Sequence, residues 1–254
     1  MKDQLSERQK IEKDYHNERY KSDVSLIINR NSAYAYKFYW NLFGDVKGLR
    51  ILDFGCGNGW LSVLLANRGA KMWGIDISEE LIKQAKQLAD KEGLLEKISF
   101  HEMPAENLTF EDNFFDLILG SAILHHTDLY LAINNLYRVL KPCSKAIFIE
   151  PMNQNIFLKI WRKITPWRRS PVEKALTYEE LKLIQNIFPY AKFYFFNLTS
   201  IFTQGLLLLS PKNKLLLFVN GLLERFDGLC LRVSPSLGKY YAVVVIELVK
   251  GDGE

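Results

Sequence analysis

Two sets of residues in this chain have types and spacings suited to chemistry. The first is Asp53, Gly55, Gly57 and Gly59 in the run Ile51-Leu52-Asp53-Phe54-Gly55-Cys56-Gly57-Asn58-Gly59-Trp60, with Asp76 closing the later run Lys71-Met72-Trp73-Gly74-Ile75-Asp76. Ile51 and Leu52 end a short buried strand, and the glycines let the backbone turn sharply and approach a ligand where a Cβ would intrude. Asp76, at the end of the next strand, is placed to accept hydrogen bonds from ribose hydroxyls. Strand, glycine loop, helix, strand and acid together describe a grip on an adenosine-containing cofactor. The second set is His125, His126 and Glu150. A histidine titrates near neutral pH, so a general base acting on a hydroxyl is the chemistry it offers, worth ~10²–10⁴ in rate.

Spacing separates two cofactor classes. A nicotinamide site asks for Gly-x-Gly-x-x-Gly, the last glycine allowing close helix–strand packing beside a pyrophosphate. Counted from Gly55, that position is Trp60, and the third glycine comes one residue early at Gly59. Asp53 would repel a diphosphate but suits an ammonium group. The run from Asp53 to Gly59 resembles the first motif of the class I S-adenosylmethionine-dependent methyltransferases.

The resemblance covers residues 46–151. Ala105-Glu106-Asn107-Leu108-Thr109-Phe110 and Asp112-Asn113-Phe114-Phe115-Asp116 are similar to the adenine-lining segment of the subfamily related to quinone-biosynthesis methyltransferases, as are Leu124-His125-His126 and Arg138-Val139-Leu140-Lys141-Pro142. It implies S-adenosylmethionine as cofactor, S-adenosylhomocysteine as product, and a cofactor site of Asp53, Gly55, Cys56, Gly57, Gly59, Asp76, Ile77, Ala105, Glu106 and Ser121. Pro104 stands where that subfamily carries an adenine-binding Asp, leaving the adenine to backbone, Glu102 or Glu106. Cys143 replaces the glycine usual after Lys-Pro. Gly120-Ser121-Ala122-Ile123 lacks the Asn or Asp, two prolines and aromatic with which enzymes of adenine or glutamine amide nitrogen hold their amine. Oxygen or carbon is therefore the expected methyl acceptor rather than nitrogen. The histidine pair and Glu150, expected at strand ends facing the cleft, are the catalytic candidates, although one His of the pair also suits a packing or capping role.

These residues need an α/β frame to position them. Helix is expected over 58–68, stopped by Gly69, over 78–91 with Ser78 as cap, and over 128–140 before the Lys141-Pro142 break. Strands are expected at 71–75, 98–102, 116–119 and 146–149. Such alternation requires parallel pairing with right-handed crossovers, hence a doubly wound sheet with helices on both faces. Beyond Pro151 helices are expected at 156–164 and 178–188, and strands at 192–197 and 241–248. The resemblance then implies a mostly parallel seven-stranded sheet closed by an antiparallel hairpin, with residues 198–239 inserted in it. The division is a helical leader over 1–45 that packs across the sheet edge or over the cofactor, a cofactor core over 46–151, and a completing region over 152–254. In the leader, Tyr15, His16 and Tyr20 are the residues a lid would bring over the cofactor.

With 254 residues, 48% of them hydrophobic, the chain can bury one α/β core plus additions. A net charge of +4 is too small to imply nucleic acid. Cys56, Cys143 and Cys230 lie far apart, so neither a disulfide framework nor a metal site is expected. No apolar signal segment opens the chain, and a cytoplasmic location fits. Lys159, Arg162, Lys163, Arg168, Arg169 and Lys174 interleave with Trp161 and Trp167, and the insertion carries apolar runs broken by Lys212 and Lys214. This region suits a solvated amphipathic face, peripheral contact with the inner face of a membrane, a homodimer contact, or a cap over a lipid-like acceptor. Two alternatives stand beside methyl transfer. One is a nicotinamide oxidoreductase, which Trp60 and Asp53 disfavour; the other is a non-catalytic scaffold keeping the fold.

Overall fold

The computed structural model describes residues 5–19, 34–165, 170–210 and 212–252. Its centre is a seven-stranded sheet in the order β3-β2-β1-β4-β5-β7-β6. The parallel part comprises β1 (Arg50–Phe54), β2 (Lys71–Asp76), β3 (Ile98–Glu102), β4 (Phe115–Ser121) and β5 (Leu140–Pro151). β6 (Lys192–Phe196) and β7 (Val243–Val249) close it as the antiparallel pair, β7 lying beside β5.

Strand alternation sorts the side chains into two cores. Leu52, Phe54, Ile118, Phe148, Val244 and Ile246 face one side, under α5 (Leu129–Val139) and α7 (Tyr178–Ile187). Ile51, Leu117, Leu119, Ile147, Ile149 and Val245 face the other, under α3 (Trp60–Asn67) and α4 (Glu79–Lys91). Strands buried on both faces read as the unbroken apolar runs seen in the sequence. The caps follow side-chain chemistry: Ser78 accepts from the Leu81 N–H, Asp128 from Leu131, and Thr177 with Glu180 forms a reciprocal capping box.

α5 ends at Val139, ahead of Lys141-Pro142 as expected, but the next strand begins earlier than the predicted 146. β5 starts at Leu140, paired with Phe115, and passes through an irregularity before Lys145 pairs with Leu117. Cys143 sits there at φ +58°, in the left-handed conformation that its glycine counterpart would hold freely. Lys250, just past β7, secures the junction, its ammonium donating to Asn113 Oδ1 and to the carbonyls of Tyr137 and Leu140 at 2.7–2.8 Å.

The leader divides. α1 (Glu7–Arg19) packs against α4, whereas α2 (Tyr34–Asn41) lies on the sheet near β5 and β7, with Ala35 and Tyr39 buried. Tyr20 lies outside the described residues, as do Trp167, Arg168 and Arg169. Between β6 and β7 the insertion folds as α8 (Ile201–Leu209), α9 (Lys214–Val233) and a 3-10 turn at Pro235–Tyr240, and β7 starts two residues later than the sequence predicts. α6 (Ile156–Ile164) completes this region. Among the described residues no helix is long and apolar enough to cross a membrane.

One carboxylate pins the insertion. Asp227 on α9 is buried and accepts the N–H groups of Leu198, Thr199 and Ser200 together with the hydroxyls of Thr199 and Ser200, all at 2.7–3.1 Å. It serves as a cap supplied from a different helix to the start of α8. Asn155 adds a clamp, its amide donating to the carbonyls of Leu198 and Tyr240 at 3.1 and 2.9 Å. Asp227→Ala leaves these donors unsatisfied and is expected to cost about 3 kcal/mol or more in urea unfolding. Asp227→Asn, with one acceptor oxygen, should recover only part of that loss.

Candidate functional site

The glycine loop folds back over the end of β2. The N–H groups of Gly55 and Cys56 both donate to the Ile75 carbonyl, at 3.0 and 2.8 Å. Asp76 ties the two crossover loops together: Oδ2 accepts from the Gly57 N–H at 3.0 Å and Oδ1 from the Ser78 N–H at 2.9 Å. Burial pushes the Asp76 pKa upward, and these two bonds hold it back. Gly59, at φ +78°, starts α3, and a Cβ there would lie 2.8 Å from both Ala85 and the Phe100 ring. The close helix approach that a dinucleotide pattern places one residue later is thus met at Gly59. Trp60 is free to lean against Trp40 of α2, ring centroids 5.6 Å apart. Gly57, at φ +54°, has nothing within 4 Å of a built Cβ, so the cradle opens onto space that a ligand can fill.

Beneath that cradle sits Asp53, only 3% exposed and compensated by Ser62 alone, through its hydroxyl at 2.7 Å and its backbone N–H. Burial raises its pKa to about 7, with Ser62 opposing and the Asp76 charge adding. A buried carboxylate so weakly compensated suits a ligand with a cationic end. Cys56 turns its side chain into the core, where burial lifts the thiol well above its ordinary value, so the loop there offers a ligand its backbone. Ile77 is half-buried directly after Asp76.

Tyr36 and Tyr39 bring α2 into the site. The Tyr36 hydroxyl is 3.2 Å from Ser121 Oγ, and burial and then the Asp53 charge raise the Tyr39 hydroxyl well above its usual range. Ala105 is buried, while Glu106 braces its neighbours: Oε2 accepts from Gln9 Nε2 and Oε1 from the Asp128 N–H, both at 2.9 Å. Glu102 pairs with Lys13.

The histidine pair lies in a 3-10 turn, Leu124–His126, after the strained Ala122 at φ +56°. Glu150 was expected to face the cleft; instead it is 1% exposed and engaged through both oxygens. Oε1 accepts the N–H groups of Ile123 and Leu124 at 2.8 Å, and Oε2 lies 2.6 Å from His125 Nδ1. Glu150 therefore holds the turn. His125 is 5% exposed, its carbonyl accepts from Arg8, and its Nε2 lies 3.7 Å from Glu173. His126 is half-buried, with Nδ1 3.0 Å from Glu12 Oε2, the same oxygen that His16 Nε2 approaches at 3.7 Å. Burial disfavours the charged form of His126, but Glu12 outweighs it and lifts the pKa above the ordinary value.

α1 thus spans the site like a strap. Arg8, Gln9, Glu12, Lys13 and Asn17 reach the turn, Glu106, His126, Glu102 and Ser78 in succession. Of the predicted residues, the glycine loop, Asp53, Asp76, Ile77, Ala105, Glu106, Ser121 and the histidines all lie toward the C-terminal ends of the parallel strands. Cys143 lies at the opposite end of β5, away from them. Sequence reasoning did not select Glu12, Tyr36, Tyr39, Ser62 or Glu173 as site residues. The Glu12–His16 spacing of four on one helix was the available signal for the first.

Asp53 makes stability depend on pH. Its folded-state pKa exceeds the unfolded value of about 4, so its contribution is complete at low pH and is lost as pH rises toward about 7. Wild-type Tm relative to that of Asp53→Asn should therefore fall between about pH 5 and pH 7.5 and then level off. A difference that stays flat across this range would mean that Asp53 ionises normally.

Residues 52–148 match a family model described as a methyltransferase domain. Over 111 residues the chain is 38% identical to a ubiquinone biosynthesis O-methyltransferase of Coxiella burnetii, which covers 43% of this chain and 46% of the relative. Over 160 residues it is 31% identical to the demethylmenaquinone methyltransferase of Lactococcus lactis, covering 59% of this chain and 63% of that one. The first of these matches thus spans about half of the relative's length. Magnesium protoporphyrin IX methyltransferase of Synechocystis, solved with bound S-adenosylhomocysteine, shares the fold with a TM-score of 0.60 over 96% of this chain and 100% of that one, at 16% identity.

Proposed function

We propose that this chain, whose residues 52–148 match a methyltransferase-domain model, moves the methyl group of S-adenosylmethionine onto an oxygen or carbon of a small, apolar acceptor. The observation that carries this reading is the buried Asp53 carboxylate beneath an open glycine cradle. In it, Asp53 faces the ammonium of the cofactor's methionine end. Backbone groups of Gly55, Cys56, Gly57 and Gly59 line that end. Asp76 and Ile77 receive the ribose, Ala105 and the Glu106 backbone border the adenine, and Ser121 marks the acceptor side.

The bound sulfonium supplies a methyl group that is already electrophilic, so holding the acceptor in line supplies most of the catalysis. His126, half-buried and hydrogen-bonded to Glu12, is the nearest group to a general base. His125 and Glu150 act by positioning the turn that carries it. α1, laid across these loops, excludes water from the cleft. The names of the Coxiella and Lactococcus relatives, which speak of ubiquinone and demethylmenaquinone, support a quinone-type acceptor.

A peripheral membrane contact belongs to the same reading. On α9 the exposed apolar residues Leu215, Phe218, Leu222, Phe226, Leu229 and Val233 recur at spacings of three and four, so they form one stripe. Exposed Ile156, Phe157 and Ile160 on α6 and Phe202 on α8 add to the apolar surface, and the Phe157 and Phe202 rings lie 6.4 Å apart. Lys159, Lys163, Lys214, Arg225 and Arg232 are exposed on the same helices, the composition that an anionic bilayer surface attracts.

Calorimetry with S-adenosylhomocysteine tests the cofactor site. Pairing with an ammonium returns Asp53 to its charged form, so binding at pH 6 should release close to one proton, seen as an enthalpy that varies with buffer. Asp53→Asn should weaken binding at least tenfold. Binding of NADH in place of S-adenosylhomocysteine would overturn the reading.

The surface is tested by co-sedimentation with phosphatidylglycerol vesicles at low salt. Wild type should pellet, and the double substitution Phe218→Glu with Leu222→Glu should remain in solution. Wild type remaining in solution rules the membrane contact out, and a dimer lost in the same double variant would give the stripe to a second copy.

A further inference from the structure

The side chains above the glycine loop form a cluster larger than a general base for methyl transfer requires, and His126 as a metal ligand would take the place of His126 as that base. Glu12 Oε2 lies 3.0 Å from His126 Nδ1 and 3.7 Å from His16 Nε2. On the other side of the turn, His125 Nε2 lies 3.7 Å from Glu173 Oε1. Each trio, Glu12–His16–His126 and His125–His126–Glu173, brings one ligand atom per residue within 4.8 Å of the others, and His126 belongs to both. We propose that the leader helix and the β4–α5 turn together bind one divalent transition-metal ion, of which zinc is the best match, with His126 as the central ligand.

Three features favour an ion over simple ion pairing. Imidazole and carboxylate form the donor set that zinc takes, at about 2.0–2.2 Å, which puts neighbouring ligand atoms roughly 3–4 Å apart, the range of the carboxylate–imidazole pairs here at 3.0 and 3.7 Å. Two imidazole nitrogens converge on a single carboxylate oxygen of Glu12, although a carboxylate could take two separate partners on two oxygens. His125 is also held as metal-ligating histidines are held: its Nδ1 lies 2.6 Å from Glu150, which aims Nε2 at Glu173. Glu12 and His16, four residues apart, share one face of α1, so the helix presents both together. The negative charge of Glu12, or of Glu173 on the other side of the turn, would offset part of that of a dication.

Such an ion would fasten the strap over the cleft. With a solvent-facing position left open, it would also bind an acceptor hydroxyl as its oxyanion, the proton passing to solvent. This second role rests on the methyl-transfer reading; the site itself does not.

The test uses the full chain without methyl donor or acceptor. After loading with zinc chloride and gel filtration, elemental analysis should find one zinc per chain, and competition with a chromophoric chelator gives its affinity. Glu12→Gln, on the outer helix, and His126→Asn should each lower that affinity at least tenfold while circular dichroism stays unchanged. Cobalt should give a visible spectrum of nitrogen and oxygen ligation that both variants lose. Asp53→Asn should keep the zinc, which separates this site from the cofactor cradle. Zinc absent from the wild type, or held equally by Glu12→Gln and His126→Asn, overturns the proposal and leaves methyl transfer untouched.

Discussion

The site is organised around the buried carboxylate of Glu150. Its two oxygens collect the N–H groups of Ile123 and Leu124 and the Nδ1 of His125, fixing the chain where it leaves β4. The backbone there is strained, with Ala122 at φ +56°, a conformation that disfavours residues with a Cβ and persists only where the surroundings over-determine it. Glu150 supplies that determination from β5, the neighbouring strand. It thereby sets where His125 and His126 point, and through them where α1 can rest.

The buried carboxylates show where a ligand belongs. Glu150 is met by two N–H groups and an imidazole, and Asp227 by five donors, so each is settled within the protein. Asp53 is equally buried but has a single side-chain donor, the Ser62 hydroxyl, and is pushed to about 7. Burying a carboxylate without full compensation is costly. The fold carries that cost beside three positive-φ glycines, one of which opens onto empty space. Two carboxylates thus build the frame, while the third keeps a raised pKa that a cationic partner would lower.

Much of this could be read in the sequence, because local chemistry dictated it. Ser78 and Asp128 cap their helices, β3 spans the predicted 98–102, and α6 spans the predicted 156–164. Local signals failed where distant residues decide. Lys141-Pro142 does mark the end of α5, yet β5 already starts at Leu140 rather than at 146, at a junction that Lys250, more than a hundred residues away, ties to Tyr137 and Asn113. Glu150 reads as a cleft residue because strand-end position is visible in sequence, whereas the N–H groups that consume its oxygens are not. The Glu12–His126 pair is hidden for the same reason: it joins two segments separated by more than a hundred residues, and a charged helix gives no sign of which of its charges is buried. The apolar insertion revealed its composition, but only the packing of α9 shows that its apolar residues make an outward stripe rather than a core face.

The C-terminal region is joined to the site more directly than its position in the chain suggests. Asn155, at the start of α6, clamps the carbonyls flanking α8 and β7, and the segment after α6 returns to place Glu173 beside His125. Glu173 and Glu12 therefore meet the histidine turn from opposite sides, one supplied by the C-terminal addition and one by the leader. Asp53 and Asp76, by contrast, are carried on β1 and β2, interior strands of the sheet. The histidine turn is instead bounded by the two helical additions, through Glu12 of α1 and Glu173 beyond α6, so its surroundings are set by parts of the chain outside the sheet.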